Sequence, residues 1–276
     1  MRKDLCRNRC HRAVMTSSTG SSDASPRPLA GCGALVTGGS RGTGRAIARR
    51  LAADGATVVF TYRTQPEAAE SLVAEIAELN GRAYAVRLDL AAPDEVAEAF
   101  AAADGAFREA GAGGLDILVV NAGVFTSAPI AEATVDDWER VMAVNARGTF
   151  LAVQQAAARM RDGGRIITIS TVGTHWPSPG EAIYAASKAA VEQITRVASR
   201  ELGCRGITAN TLSLGPTDTD LLRDSAQPGA LEGAAAMTAL GRIGQPGDVA
   251  DLVALLVRAD NRWVTGQNIR ADGGLT

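Results

Sequence analysis

Gly33-Ala-Leu-Val-Thr37-Gly38-Gly-Ser40-Arg41-Gly42-Thr43-Gly44 is the stretch whose reading decides the fold. Residues 33–37 are a short apolar run, the pattern of a strand buried on both faces. Glycines follow at once, and residues 43–53 then read as a helix that ends at Asp54-Gly55. Glycines in such a link let the backbone turn sharply and approach a pyrophosphate, which then rests on the N–H groups of the helix N-terminus. The spacing is Gly38-x-x-x-Gly42-x-Gly44, unlike the Gly-x-Gly-x-x-Gly of the most familiar dinucleotide fingerprint.

Moving outward, the same alternation runs through the chain. Strands are expected at 57–61, 83–88, 117–120, 165–169 and 207–212. Between them, helices are expected at 66–79, 93–110 and 135–160, the last as one long helix with Thr134 as N-cap. A further helix carries Tyr184 to about Leu202, and another covers 246–258. Short apolar strands alternating with helices predict an α/β fold, a doubly wound parallel sheet of Rossmann type, in a single domain over 29–276. Residues 1–28 are basic and then rich in Ser, Thr and Pro, so they are read as a disordered tail and not as a secretory signal.

Composition excludes several functions. A formal net charge of −2 over 276 residues argues against a nucleic-acid partner. No apolar run reaches the length of a membrane span, about 18 residues, and a cytoplasmic protein is expected. The four cysteines are scattered, which is not a disulfide framework. Cys6-x-x-x-Cys10-His11 lacks a second ligand pair, so no metal is expected.

Tyr184 and Lys188 stand four residues apart in an alanine-rich segment, and on a helix they share one face. A nearby cation favours the phenolate and lowers a pKa that ordinarily lies near 10, toward the range of useful acid–base work. Alone, such a pair also fits an ordinary surface helix. Together with the glycine loop, Asn121-Ala122-Gly123 and Asn145, it is more specific. On these motifs the chain resembles the short-chain dehydrogenase/reductase family, and within it the 3-oxoacyl-carrier-protein-reductase-like branch, over about residues 29–276. Leu88-Asp89-Leu90 and the closing Val264-Thr-Gly-Gln-Asn-Ile-Arg-Ala-Asp272-Gly-Gly extend the match.

The resemblance implies hydride transfer between a nicotinamide cofactor and a ketone or secondary alcohol. It implies that Tyr184 donates or accepts the proton, that Lys188 lowers its pKa and holds the nicotinamide ribose, and that Asn145 holds a proton-relaying water. It further implies that Asp89 and Leu90 lie at the adenine, that Asn121, Ala122 and Gly123 line the cofactor, and that Gly215, Thr217 and Thr219 hold the carboxamide. The family's segment there begins with proline where this chain has Leu214. A homotetramer is also implied, and Ile183, Val191, Ile194 and Val197, too many apolar positions for one sheet, point the same way. At the end of the second strand, Tyr62-Arg63 carries no acid to bond a ribose 2′-hydroxyl, and Arg41 of the glycine loop would lie near the same ribose. Two guanidiniums suit a 2′-phosphate, so NADP(H) is expected.

The group that polarises the substrate carbonyl has two candidates. Thr171 stands at the family's usual spacing before Tyr184, yet the family residue is normally serine, and the serine here is Ser170. Adjacent strand residues point to opposite sides, so only one can face the substrate, and Thr171 is favoured. His175, Trp176 and Pro177 are expected to border the substrate, and residues 221–240 to form a lid. The substrate is expected to be a ketone, with a 3-oxoacyl thioester as the alternative and a non-catalytic NADP(H)-binding regulator as the more distant one.

Overall fold

A computed structural model describes residues 27–225 and 229–276. The expected tail lies almost wholly outside these residues, as do Cys6, Cys10 and His11. The described chain enters the domain at Leu29, which is buried and donates its N–H to the Asp54 carbonyl at 2.9 Å.

Among the described residues, seven strands form one parallel sheet: β1 Gly33–Thr37, β2 Thr57–Tyr62, β3 Arg82–Arg87, β4 Leu115–Val120, β5 Arg165–Thr171, β6 Thr208–Leu214 and β7 Asn268–Ala271. Their order is β3-β2-β1-β4-β5-β6-β7. Side chains alternate across each strand and so feed two cores. Ala34, Val36, Val58 and Phe60 face the layer built by α1 (Gly42–Ala53), α2 (Pro66–Glu78) and α9 (Pro246–Val257). Leu35 and Val59, one position out of phase, face α3 (Pro93–Glu109), α5 (Gly148–Arg159) and α6 (Ala182–Leu202). Phe60, Phe100 and Phe107 are fully buried in these layers, each contributing roughly 1.5–3 kcal/mol relative to exposure.

Two features of the sheet position the site. The chain builds β1, β2 and β3 outward on one side and then crosses to β4 on the other. The crevice above the C-terminal ends of β1 and β4 is therefore the topological switch point, where open α/β sheets bind ligands. Second, the stretch expected as one helix over 135–160 is divided. α4 (Val135–Val141) gives way to a π-helical turn at Met142–Arg147 before α5 resumes. Thr134 caps α4 as expected, accepting from the Asp137 N–H at 3.1 Å.

Strand β7 was not expected, nor were the helices α7 (Asp220–Ser225) and α8 (Ala230–Met237). β7 has only four residues, none of them fully buried, so it carries little apolar pattern.

Candidate active site

At the switch point the loop after β1 is shaped by glycine. Gly38 has a φ of +65°, and a Cβ on Gly44 would stand 2.1 Å from the Gly38 carbonyl oxygen, so the first turn of α1 can pack onto the loop only if residue 44 is glycine. Thr37 ties this loop to the one after β4: its Oγ1 accepts from the N–H groups of Asn121 and Ala122 at 3.0 and 3.1 Å. The Asn121 side chain returns the tie, donating from Nδ2 to the carbonyls of Thr37 and Gly38 at 3.2 and 3.1 Å.

From here a cleft of about 310 Å³ opens across the strand ends. Gly38, Ser40, Arg41, Gly42 and Thr43 line one wall, and Tyr62, Arg63, Asp89 and Leu90 line the outer end. Asn121, Ala122, Gly123 and Thr219 line the inner end. Of the residues expected at the cofactor, Gly44, Gly215, Thr217, Tyr184 and Lys188 do not line it. Gly44 lies in the packing just described. Gly215 lets the chain pass Asp272, whose Cα would be 2.7 Å from an added Cβ. Thr217 is buried and turns its hydroxyl to the Gly215 carbonyl at 3.0 Å.

The cleft fits a dinucleotide with a 2′-phosphate. No side chain caps the N-terminus of α1, whose first N–H groups are the natural seat of a pyrophosphate. Arg41 and Arg63 both line the end where the adenosine ribose would lie, with no acid following β2. Arg41 is mostly exposed and reaches Asp220 of α7 only at 4.0 Å.

The inner end of the cleft leads to α6. Tyr184 and Lys188 share a face as expected, with the ammonium 5.9 Å from the ring centroid. Lys188 is buried and donates to the Ile169 carbonyl at 2.9 Å. Burial draws its pKa from 10.5 down to about 8.

Asn145 is fully buried in the π turn, where its amide is matched in both senses. Oδ1 accepts from the Val124 N–H at 2.8 Å, while Nδ2 donates to the Val124 carbonyl and to Ser187 Oγ, both at 2.9 Å. A Cβ on Gly123 would stand 3.2 Å from both Asn145 Oδ1 and Lys188 Nζ. The three motifs therefore converge on one small volume.

The Tyr184 phenol corrects an expectation. Its pKa is pushed up, first by burial and then by the charge of Glu181, not drawn down by Lys188. The ammonium is too distant from the ring, and itself too weakened by burial, to outweigh desolvation. Phe125 adds to that burial, its ring edge-on to Tyr184 with centroids 5.0 Å apart.

The two adjacent hydroxyls are separated. Ser170 is buried beneath α6 and donates to Glu192 Oε1 at 2.7 Å, sharing that oxygen with Thr174 at 2.6 Å and Ser213 at 3.4 Å. Thr171, half-buried at the end of β5, uses Oγ1 to accept from the Gly173 N–H at 3.1 Å. Among the described residues its own O–H has no acceptor. His175, Trp176 and Pro177 are exposed on the loop toward α6.

Sequence reasoning missed Phe125, Glu181 and Glu192. Glu192 had a legible signal, one further turn along the Tyr184–Lys188 stripe.

A family model described as "Enoyl-(Acyl carrier protein) reductase" matches residues 38–276. The chain belongs to the short-chain dehydrogenase/reductase family. It is an oxidoreductase by that membership, and the description of the matching model is consistent with the acyl-carrier-protein-reductase-like branch. Among relatives, the chain is 39% identical over 267 residues to the "Hydroxynaphthalene reductase-like protein Arp2" of Metarhizium brunneum, covering 92% of this chain and 98% of that one. It is also 39% identical over 262 residues to the "NADPH-dependent aldehyde reductase-like protein, chloroplastic" of Arabidopsis thaliana, covering 90% and 96%. Among solved structures, a short-chain dehydrogenase from Burkholderia cenocepacia in complex with NADP is 42% identical, with a TM-score of 0.84 over 90% of this chain and 99% of that one. The short-chain dehydrogenase/reductase fold thus extends over the described domain.

Proposed function

We propose that this short-chain dehydrogenase/reductase is an NADP(H)-dependent carbonyl reductase in which Tyr184 protonates the substrate oxygen. The observation that carries the reading is that Lys188 and Asn145 meet beside Gly123, which lines a cleft that also presents Arg41 and Arg63, with Tyr184 on the same face of α6 as Lys188. NADP in the Burkholderia structure and the printed names of the relatives support the cofactor and the reductive direction.

When bound, NADPH supplies the hydride that the carbonyl carbon accepts. The chain's residues do the rest. The N-terminus of α1 seats the pyrophosphate, and Arg41 and Arg63 hold the 2′-phosphate with charge-assisted bonds. Asp89 and Leu90 border the adenine, while Thr219, the member of its segment that lines the cleft, approaches the carboxamide. Thr171 donates its O–H to the carbonyl oxygen, polarising it; the engagement of Ser170 by Glu192 supports this choice.

Tyr184 gives the phenolic proton to the same oxygen as the carbon receives the hydride, leaving an alcohol and a phenolate. A phenol whose pKa is pushed up holds its proton at neutral pH, which suits the acid role. Lys188 stabilises the phenolate that forms and reaches the nicotinamide ribose. Asn145, with Gly123 leaving room beside it, positions the water through which Tyr184 regains a proton.

The family model's description, an acyl-carrier-protein reductase, is consistent with a second substrate class carried as a thioester, here a 3-oxoacyl thioester. Steady-state kinetics with NADPH and NADH on a panel of ketones and one 3-oxoacyl thioester tests both. Turnover with NADPH and a lower kcat/KM with NADH is expected, whereas a higher kcat/KM with NADH would sink the cofactor assignment.

We also propose a homotetramer. Of the four apolar positions on α6, Ile183 and Val191 are buried inside the chain, so they lend no support. Val197, with Phe150 on α5 and Trp138 on α4, is exposed and does. Light scattering on the eluting protein would contradict this by giving one chain's mass. No helix among the described residues is long and apolar enough to cross a membrane. A cytoplasmic location is proposed with it, to be checked by cell fractionation.

A further inference from the structure

Glu181 is an acidic side chain near Tyr184 and Thr171 that the proposed mechanism does not use. It is the N-cap residue of α6, three positions before Tyr184, yet its carboxylate does not cap the helix. An N-cap carboxylate ordinarily accepts from the first free N–H groups of its own helix. This one is directed elsewhere. Glu181 Oε2 lies 3.1 Å, and Thr171 Oγ1 3.4 Å, from the point where a Cβ on Gly173 would stand. The carboxylate, the proposed carbonyl-polarising hydroxyl and a residue without a side chain therefore border one space. After burial, the carboxylate's charge is also the second cause that raises the pKa of the Tyr184 phenol.

The carboxylate is half-buried, and among the described residues no cation and no hydrogen-bond donor meets it. Burial alone pushes its own pKa up, with nothing drawing it back. A partly buried carboxylate with no partner in the chain is free to accept a donor carried by a ligand. A side chain at 173 would crowd that oxygen, and glycine avoids this.

We infer that Glu181 is a specificity-determining residue, whose carboxylate accepts a hydrogen bond from a hydroxyl carried by the substrate close to the reacting carbonyl. The substrate class is then a hydroxylated ketone or aldehyde, taken in preference to its deoxy analogue. This inference rests on the carbonyl-reductase reading and deepens it. A site built around a hydrogen bond to a substrate hydroxyl discriminates strongly against the analogue that lacks it, because the buried partner is left unpaired. For a half-buried carboxylate the expected preference is about 10- to 100-fold in kcat/KM.

The test measures kcat/KM with NADPH on matched sets: a hydroxy ketone, the same ketone without the hydroxyl, and its methyl ether, which keeps the oxygen but removes the donor. The wild-type enzyme is expected to favour the hydroxy ketone over both others by that factor. In Glu181→Ala the preference is expected to fall to near unity, and in Glu181→Gln to an intermediate value. The ratio is taken within one protein, so loss of folded enzyme cancels from it. A merely structural role for Glu181 would slow all three substrates together and leave the ratio intact, which would overturn the inference, as would a wild-type ratio near one. If NADPH reduced no carbonyl compound at all, the reductase reading itself would fail, and the inference with it.

Discussion

Replacing the two adjacent hydroxyls at the end of β5 should give opposite effects. Ser170 Oγ makes one of the two short hydrogen bonds to Glu192 Oε1, at 2.7 Å, in a buried position. A bond to a charged acceptor contributes about 1.5–3 kcal/mol, and Glu192 keeps Thr174 and Ser213 when it is lost, so the net cost of Ser170→Ala is about 1–2 kcal/mol. In a domain of this size each kcal/mol moves Tm by about 2–4 °C, so Tm should fall by about 2–8 °C. Turnover should change little, because this hydroxyl is already engaged by Glu192.

Thr171→Ala removes the donor proposed to polarise the carbonyl, and kcat should fall by about 10²- to 10³-fold. The stability lost is smaller, since only a neutral contact from the Gly173 N–H disappears. Thr171→Ser should keep most of the activity. Differential scanning calorimetry with single-turnover NADPH oxidation reads both quantities. A Ser170→Ala enzyme that is stable but inactive, beside an active Thr171→Ala enzyme, would refute the assignment.

Three further outcomes follow from the same geometry. Gly123→Ala places a Cβ 3.2 Å from Asn145 Oδ1 and Lys188 Nζ, tighter than ordinary contact; kcat should fall by about 10- to 100-fold while NADPH still binds, as isothermal titration would report. Arg41→Ala with Arg63→Ala should raise the KM for NADPH by 10-fold or more, on the order of one charge-assisted bond, and leave the KM for NADH nearly unchanged. An equal rise for both cofactors would show that neither guanidinium reads the 2′-phosphate. Lys188 has its folded pKa depressed to about 8 by burial. Above that value the folded form has shed a proton that the unfolded chain retains, so stability should rise with pH between about 8 and 10. Urea midpoints across that window should climb more for the wild type than for Lys188→Met, and parallel curves would contradict the burial.

The fold was legible wherever apolar runs were buried on both sides. β1, β2, β4, β5 and β6 announce themselves because both their faces are covered, whereas β7 at the sheet's edge is short and half-exposed. Apolar periodicity over 135–160 is continuous, so it reads as one helix. The π turn that carries Asn145 adds no new residue type, only a different hydrogen-bond pattern. Spacing along one helix put Tyr184 and Lys188 together, but the direction of a pKa shift depends on what encloses the group. Phe125 comes from the loop after β4, and although Glu181 stands only three positions before Tyr184, spacing does not weigh its charge and the burial against Lys188. The choice between Ser170 and Thr171 likewise waits on Glu192, a long-range partner 22 residues away.

The central claim is that Tyr184 supplies the proton while the rest of the site holds the cofactor and the carbonyl. Single-turnover reduction of a ketone by pre-bound NADPH, compared in the wild type and Tyr184→Phe, tests it most directly. The phenylalanine variant should bind NADPH as the wild type does and lose the chemical step by 10²-fold or more, the scale of a positioned general acid. A variant that reduces the ketone at the wild-type rate would contradict the account.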